Sequence, residues 1–208
     1  MEWASIAGSI LLAVAAAIGI PLALRQRKKG GREKLERLFE HLKKMGVEVA
    51  PVTKGAGEEK VGVSRGSGQR SEGVVEIKNR NIDYINVVSA TSQYGVNYFL
   101  DYLVRCPFYV GHRKHRKTKM ARKKVQGVEG RKVDIEWRGD EYLARELNYD
   151  DRLRGRLLQV GSDELKGGLE IIPEPKYEYA RLRTAYVMPP VDLFEAMDII
   201  ARHLSSGW

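Results

Sequence analysis

Residues 177–187 read Tyr177-Glu178-Tyr179-Ala180-Arg181-Leu182-Arg183-Thr184-Ala185-Tyr186-Val187. Alternation sends Ala180, Leu182, Thr184, Tyr186 and then Met188 to one side. Tyr177, Tyr179, Arg181 and Arg183 go to the other, which is the period-two pattern of a strand with unlike faces. Pro189 and Pro190 follow and open a helix over about 191–204. Val191, Phe194, Met197, Ile200 and Leu204 make its stripe at helical spacing. A strand with one apolar side, followed at once by a helix with an apolar stripe, is the seed of a sheet-and-helix layer.

Upstream, the same reasoning gives more of both elements. Residues 32–45 carry Leu35, Leu38, Phe39, Leu42 and Met45 at helical spacing and stop at Gly46. The spacing of Val and Ile predicts strands near 47–52, 74–78, 82–88, 132–137 and 169–172. Asn79-Arg80-Asn81 reads as a turn, and Phe108 to Val110 as the start of a further strand. An aromatic-rich run from Ser92 to Cys106 reads as a helix capped by Ser92 and ended by Pro107. Asp140 and Asp150 stand where two further helices begin, the second with Leu153, Leu157 and Leu158 inward. Residues 53–73, rich in Gly, Ser, Lys and Glu, read as a mobile loop or hairpin tip. With no regular strand–helix–strand rhythm, the expected class is α+β, with a largely antiparallel sheet and flanking helices in one domain over 32–208.

At the other extreme of the chain, residues 4–24 contain no charge. At about 1.5 Å per residue they reach roughly 31 Å, the thickness of a bilayer core. Arg25, Arg27, Lys28, Lys29 and Arg32 follow at once. The pattern predicts one transmembrane helix (1–24 with its short N-terminus), a basic linker at 25–31 flexing at Gly30-Gly31, and a cytoplasmic domain. A cleaved signal peptide fits less well, because the cations come after the apolar stretch rather than before it, although Ala13-Val14-Ala15 resembles a cleavage site. The expected location is the cell membrane, single-pass, with the N-terminus outside. Cys106, the single cysteine, forms no intramolecular disulfide and agrees with a reducing compartment.

The net charge of +9 is uneven. The collar holds five cations and residues 112–124 hold eight with no acid, so the remainder of the chain is acidic by four. A run of this kind does not enter a core. The candidate contact residues are therefore Arg25, Arg27, Lys28 and Lys29 in the collar, and Arg113, Lys114, Arg116, Lys117, Lys119, Arg122, Lys123 and Lys124 in the run. Anionic lipid headgroups are the first partner to consider for them, and nucleic acid phosphates the second. The Tyr and Arg side of the strand at 177–187 suits a protein or RNA surface, or simply the outer face of a sheet. A protein partner or a second copy stays open, since Ala4/Gly8 and Ala15/Gly19 allow close helix approach.

No motif carries catalysis. Gly55-Ala56-Gly57 and Gly66-Ser67-Gly68 lack the Gly-Lys-Ser/Thr ending of a phosphate loop. His112 and His115 with Cys106 lack a second close ligand pair, so no metal is expected, and no cofactor either. The carboxylates Asp140, Glu141, Asp150 and Asp151 are explained by helix capping. The sequence reads as a membrane-anchored binding or accessory module. A tethered nucleic-acid-binding protein is the alternative, and an enzyme whose site assembles from scattered residues comes after that.

Overall fold

The computed structural model describes residues 30–63, 66–106, 115–127 and 130–206, with backbone alone at 124–127 and 130–133. Helix α1 covers 30–44. Then come β1 (Val49–Pro51), β2 (Gln69–Ile77), β3 (Tyr84–Ser92), β4 (Gly95–Arg105), β5 (Thr118–Gly127) and β6 (Gly130–Arg138). Helices α2 (Glu141–Tyr149) and α3 (Asp151–Gln159), strands β7 (Glu170–Glu174) and β8 (Tyr179–Ala185), and helix α4 (Val191–Ser205) complete the chain. The eight strands form one sheet in the order β1-β2-β3-β4-β8-β7-β5-β6, with every pairing antiparallel. The expected α+β class with an antiparallel sheet is what is observed.

Strand β8 alternates as its sequence dictates. Ala180 and Leu182 join the core cluster with Leu100, Tyr102 and Val104 of β4 and Val87 of β3. The helices complete that cluster through Leu38 and Leu42 of α1, Leu143 and Leu147 of α2, Leu153 and Leu157 of α3, and Phe194, Met197, Ile200 and Leu204 of α4. Each such side chain contributes about 1.5–3 kcal/mol on leaving water. Val191, expected in the α4 stripe, is 57% exposed, and Leu158 is 41% exposed. Val191 is the first residue of α4, and Leu158 is turned off the buried side of α3 that carries Leu153 and Leu157.

The run from Ser92 to Cys106 is a strand and not a helix. It pairs with β3 at nine consecutive positions, from Tyr84↔Leu103 to Ser92↔Gly95, and with β8 on its other edge. Val96, Tyr98, Leu100, Tyr102 and Val104 alternate with a side carrying Asn97, Asp101 and Arg105, but Phe99 and Leu103 on that second side blur the period, because β4 is central and buried on both faces from Leu100 to Val104. Its Val, Tyr and Phe residues favour the pleated state.

Gly30 and Gly31 lie within α1 rather than forming a flexible joint. A Cβ on Gly31 would overlap the Glu72 carboxylate, so glycine is what lets the helix lie on β2. Tyr186 Oη also donates to Lys34 O at 2.8 Å and fixes the first turns to the end of β8. The 53–73 stretch is partly ordered too. β2 starts at Gln69, a short 3-10 turn forms at Glu58–Lys60, and Val61 is buried with Leu103 and Tyr179 on the sheet face away from the helices.

Among the described residues no helix is long and apolar enough to cross a membrane. The expected span at 4–24 lies outside them, as do the linker residues 25–29 and the strand expected at 108–110.

Candidate functional site

The sheet face away from the helices carries a polar row that crosses five strands. Asn86, Asp101, Arg183, Glu170 and Lys119 are successive cross-strand partners from β3 to β5. Strand alternation puts them on one face, and cross-strand neighbours on a face interact directly. Asp101, with no solvent exposure, accepts from Arg183 Nε and Nη2, both at 2.7 Å, and from Arg181 Nη1 at 3.4 Å. Arg181 also donates to Glu174 Oε1 from Nε at 3.0 Å and from Nη2 at 2.7 Å. The Arg183 guanidinium lies 5.1 Å from the centre of the Phe99 ring. Burial would lower its pKa, and the bond to Asp101 outweighs burial and raises it. Ser71 Oγ donates to Asn86 Oδ1 at 2.7 Å, while the buried Asn86 Nδ2 has no partner among the described residues. Gly62 passes directly against the Arg181 side chain. Arg181 and Arg183 are therefore committed to ion pairs within the fold, and the Tyr/Arg side of β8 is largely spent there. Tyr179 adds to this as ring partner to Tyr84, 6.2 Å between centres.

The basic run resolves into residues with different duties. Arg25, Arg27, Lys28, Lys29, Arg113 and Lys114 lie outside the described residues, and Lys124 is placed by backbone only, within β5. Lys117 and Lys119 both reach Glu170, at 2.5 and 3.0 Å. Burial alone would raise the Glu170 carboxyl, and the two ammonium groups outweigh it and hold it below the usual carboxylate range. Lys123 pairs with Glu136, which Arg138 also holds at 2.7 Å. Those contacts lower the Glu136 pKa. Arg122 reaches to the helix side, where Nη2 donates to Leu157 O at 3.0 Å and Val160 O at 2.6 Å. It thereby caps the carbonyls at the end of α3, a favourable place for a cation. Arg116 is exposed, and its guanidinium has no ion-pair partner among the described residues.

The run is thus the opening of a two-stranded ribbon, β5 with β6, in register from Lys119↔Arg138 to Gly127↔Gly130. Beyond Lys119 the ribbon has left its β7 neighbour, apart from Met120 N donating to Leu169 O at 2.9 Å. Cations carried at register positions near its tip include Lys124, Arg131 and Lys132. The last two went unnoticed in sequence because they fall outside the uninterrupted run; hairpin pairing is what gathers them with Lys124.

The carboxylates expected as caps are caps. Asp140 accepts from Leu143 N at 3.2 Å and Asp150 from Leu153 N at 2.8 Å. Asp150 also holds His203 Nε2 at 2.8 Å, joining α3 to the end of α4. Burial works to raise the Asp150 pKa, and His203 and the Leu153 amide lower it overall. His112 lies outside the described residues, and Cys106 Sγ donates to Leu204 O at 3.3 Å. Among the described residues no three His, Cys, Asp or Glu side chains group to hold a metal. One apolar groove of about 230 Å³ lies between α1 and the sheet edge, lined by Leu35, Phe39, Pro51, Val74 and Val75 with Glu36 and Glu40 at its rim.

No protein-family model, curated protein or solved structure matches this chain.

Proposed function

We propose that this is a single-pass membrane protein, N-terminus outside, whose α+β domain acts as a binding or accessory module at the cytoplasmic surface of the cell membrane. The observation that carries the reading is how the chain arrives at the domain. The uncharged stretch at 4–24 ends only five residues before α1. Those five residues span at most roughly 18 Å. Helix α1 is then held near its start by the Tyr186–Lys34 bond, with Gly31 lying close to the Glu72 side chain. An anchor in 4–24 would therefore hold the domain close against the bilayer, with Arg25, Arg27, Lys28 and Lys29 in the headgroup layer. The described carboxylates also support a binding role. Asp101, Glu136, Glu170 and Glu174 sit in ion pairs, and Asp140 and Asp150 cap helices.

The test compares the full chain with a chain beginning at Gly30 in cell fractions. Full-length protein should resist extraction by high salt and by alkaline carbonate, and removal of 1–29 should release it. Release of the full-length protein by carbonate would end the anchored reading. Mild-detergent extraction at low and high salt then identifies what the domain binds: a stoichiometric protein that survives high salt would mark an accessory subunit.

A further inference from the structure

The β3–β4 hairpin is the longest stretch after 4–24 without a charge. No Asp, Glu, Lys or Arg occurs from Tyr84 to Leu100, in a chain whose residues are 30% charged. Burial explains the lower half, where Ile85, Val87, Val88 and Leu100 have no solvent exposure. It does not explain the tip. Thr91, Ser92, Gln93 and Gly95 are exposed, and Tyr94 is 91% exposed. Turns at the opposite end of the sheet are charged, with Lys78, Arg80 and Asp83 between β2 and β3 and with Lys176 and Glu178 between β7 and β8.

The tip stands clear of its neighbours. Strand β2 pairs with β3 only as far as Gln69↔Ala90, and β8 leaves β4 after Tyr186 N donates to Tyr98 O at 2.9 Å. Beyond these positions β3 and β4 project together, in register to Ser92↔Gly95. Ser92 Oγ accepts from Tyr94 N and donates to Gly95 O, both at 3.3 Å, and Thr91 N donates to Gly68 O at 2.9 Å. The turn thus satisfies these backbone groups within the protein, which a segment entering a water-poor layer requires.

The chain enters the domain beside this hairpin. A Cβ on Gly30 would lie 3.5 Å from Tyr98 Oη, and Lys34 Nζ lies 4.8 Å from the centre of the Tyr98 ring. From there α1 runs toward the charged end, where Leu42 O accepts from Val47 N and Val49 pairs with Ile77. Tyr94 stands beyond Tyr98 by roughly 14 Å, at about 3.4 Å per residue. Residues 25–29 span at most roughly 18 Å between the uncharged stretch and Gly30. The tip therefore reaches the height at which an anchor in 4–24 sets the bilayer boundary. The connection at 186–190, next to the hairpin, is also free of charge.

We propose that the tip of the β3–β4 hairpin, residues 91–96, lies in the interfacial layer of the bilayer with the Tyr94 ring as its anchor, by contacts that do not depend on lipid charge. The inference rests on the anchored reading above. Tyr carries an apolar ring and a polar tip, the combination enriched where membrane meets water. An uncharged tip enters that layer without stripping water from an ion. A protein partner fits less well. The tip's one large side chain supplies about 150–250 Å², against roughly 800 Å² per partner in a standard protein interface.

The experiment uses full-length protein reconstituted into phosphatidylcholine vesicles, with and without phosphatidylglycerol. A fluorophore is carried by Gln93→Cys at the tip or by Lys176→Cys at the opposite end, and Cys106 is buried. Phosphatidylcholine bearing a nitroxide near the top of its acyl chain is the quencher. The tip probe should be quenched several-fold more than the probe at 176, and equally with and without the anionic lipid. Tyr94→Ala should remove most of the difference, and Tyr94→Trp should keep it. Equal quenching of the two probes, quenching that requires phosphatidylglycerol, or no effect of Tyr94→Ala overturns the proposal. A tip probe shielded in native membranes yet unquenched in the vesicles also overturns it and assigns the tip to a protein partner. Flotation of the same vesicles separates the two readings: protein that floats with an unquenched tip probe sinks this inference alone, and protein that does not float sinks the anchor as well.

Discussion

Arg183 grips the fully buried carboxylate of Asp101 with two nitrogens, Nε and Nη2, each 2.7 Å from an oxygen. The fork geometry of guanidinium suits a carboxylate in this bidentate manner. The pair lies at the centre of the sheet, between β4 and β8, and Arg181 adds a second cation. Removing Asp101 would strip Arg183 of its carboxylate and leave Arg181 with Glu174 alone, the two cations side by side in a largely buried site. Asp101→Ala should therefore cost about 3–5 kcal/mol. Replacing Asp101 and Arg183 together by apolar residues should recover part of the loss. Thermal or urea unfolding of the detergent-solubilised chain measures both, and a change under 1 kcal/mol for Asp101→Ala, well below that range, would contradict the account.

The outer edge of β6 is closed by a side chain rather than a strand. Asn148 Oδ1 accepts from Trp137 N at 2.8 Å, and Asn148 Nδ2 donates to Trp137 O at 3.1 Å. The amide thereby imitates a neighbouring strand at one position and blocks pairing with another chain there. Asn148→Ala should lower stability by about 1 kcal/mol and raise concentration-dependent self-association. Sedimentation of the variant against wild type checks the second effect, and identical profiles with an unchanged unfolding midpoint would show that the edge needs no cap.

These two contacts show where the sequence is legible and where it stops being so. Local pattern was enough for β8 and α4, because each has one apolar and one polar side. It failed for Ser92 to Cys106, where Phe99 and Leu103 interrupt the polar side formed by Asn97, Asp101 and Arg105 and so hide the alternation that the pairing with β3 and β8 makes plain. The caps at Asp140 and Asp150 were readable because a cap acts within three residues. The alternation of Arg181 and Arg183 was visible too, yet their partner Asp101 lies some eighty residues earlier on a different strand. The basic run looked uniform for the same reason. Glu170 comes from β7, and only the sheet order brings it beside Lys117 and Lys119.

Glu170 gives the acid response of this region. Its folded pKa is depressed below the unfolded carboxylate value of about 4. Its contribution is therefore fully present above that value and is lost as pH falls through the lower folded pKa. Glu170→Gln should lower the unfolding midpoint at pH 7, and the gap from wild type should narrow below about pH 4. A gap that stays constant down to pH 3 would show that Lys117 and Lys119 do not stabilise the ionised form.

Gly139 joins β6 to the cap of α2 with a φ of +137°. A Cβ there would overlap Lys117 O and come within 2.7 Å of the Thr118 Cα. The next residue, Asp140, receives the Arg116 amide at 3.4 Å, and its own amide donates to Thr118 Oγ1 at 3.1 Å. Any shift at 139 therefore disturbs both the α2 cap and the start of the ribbon. Gly55 is a fair control, with a φ of +97° and nothing within 4 Å of the added carbon. Gly55→Ala should cost only the backbone strain, about 1–2 kcal/mol. Gly139→Ala carries that strain together with a backbone clash, and its loss should be at least twice as large. Equal losses in urea unfolding would mean that the Lys117 strand yields easily, and that the ribbon is not set by this close approach.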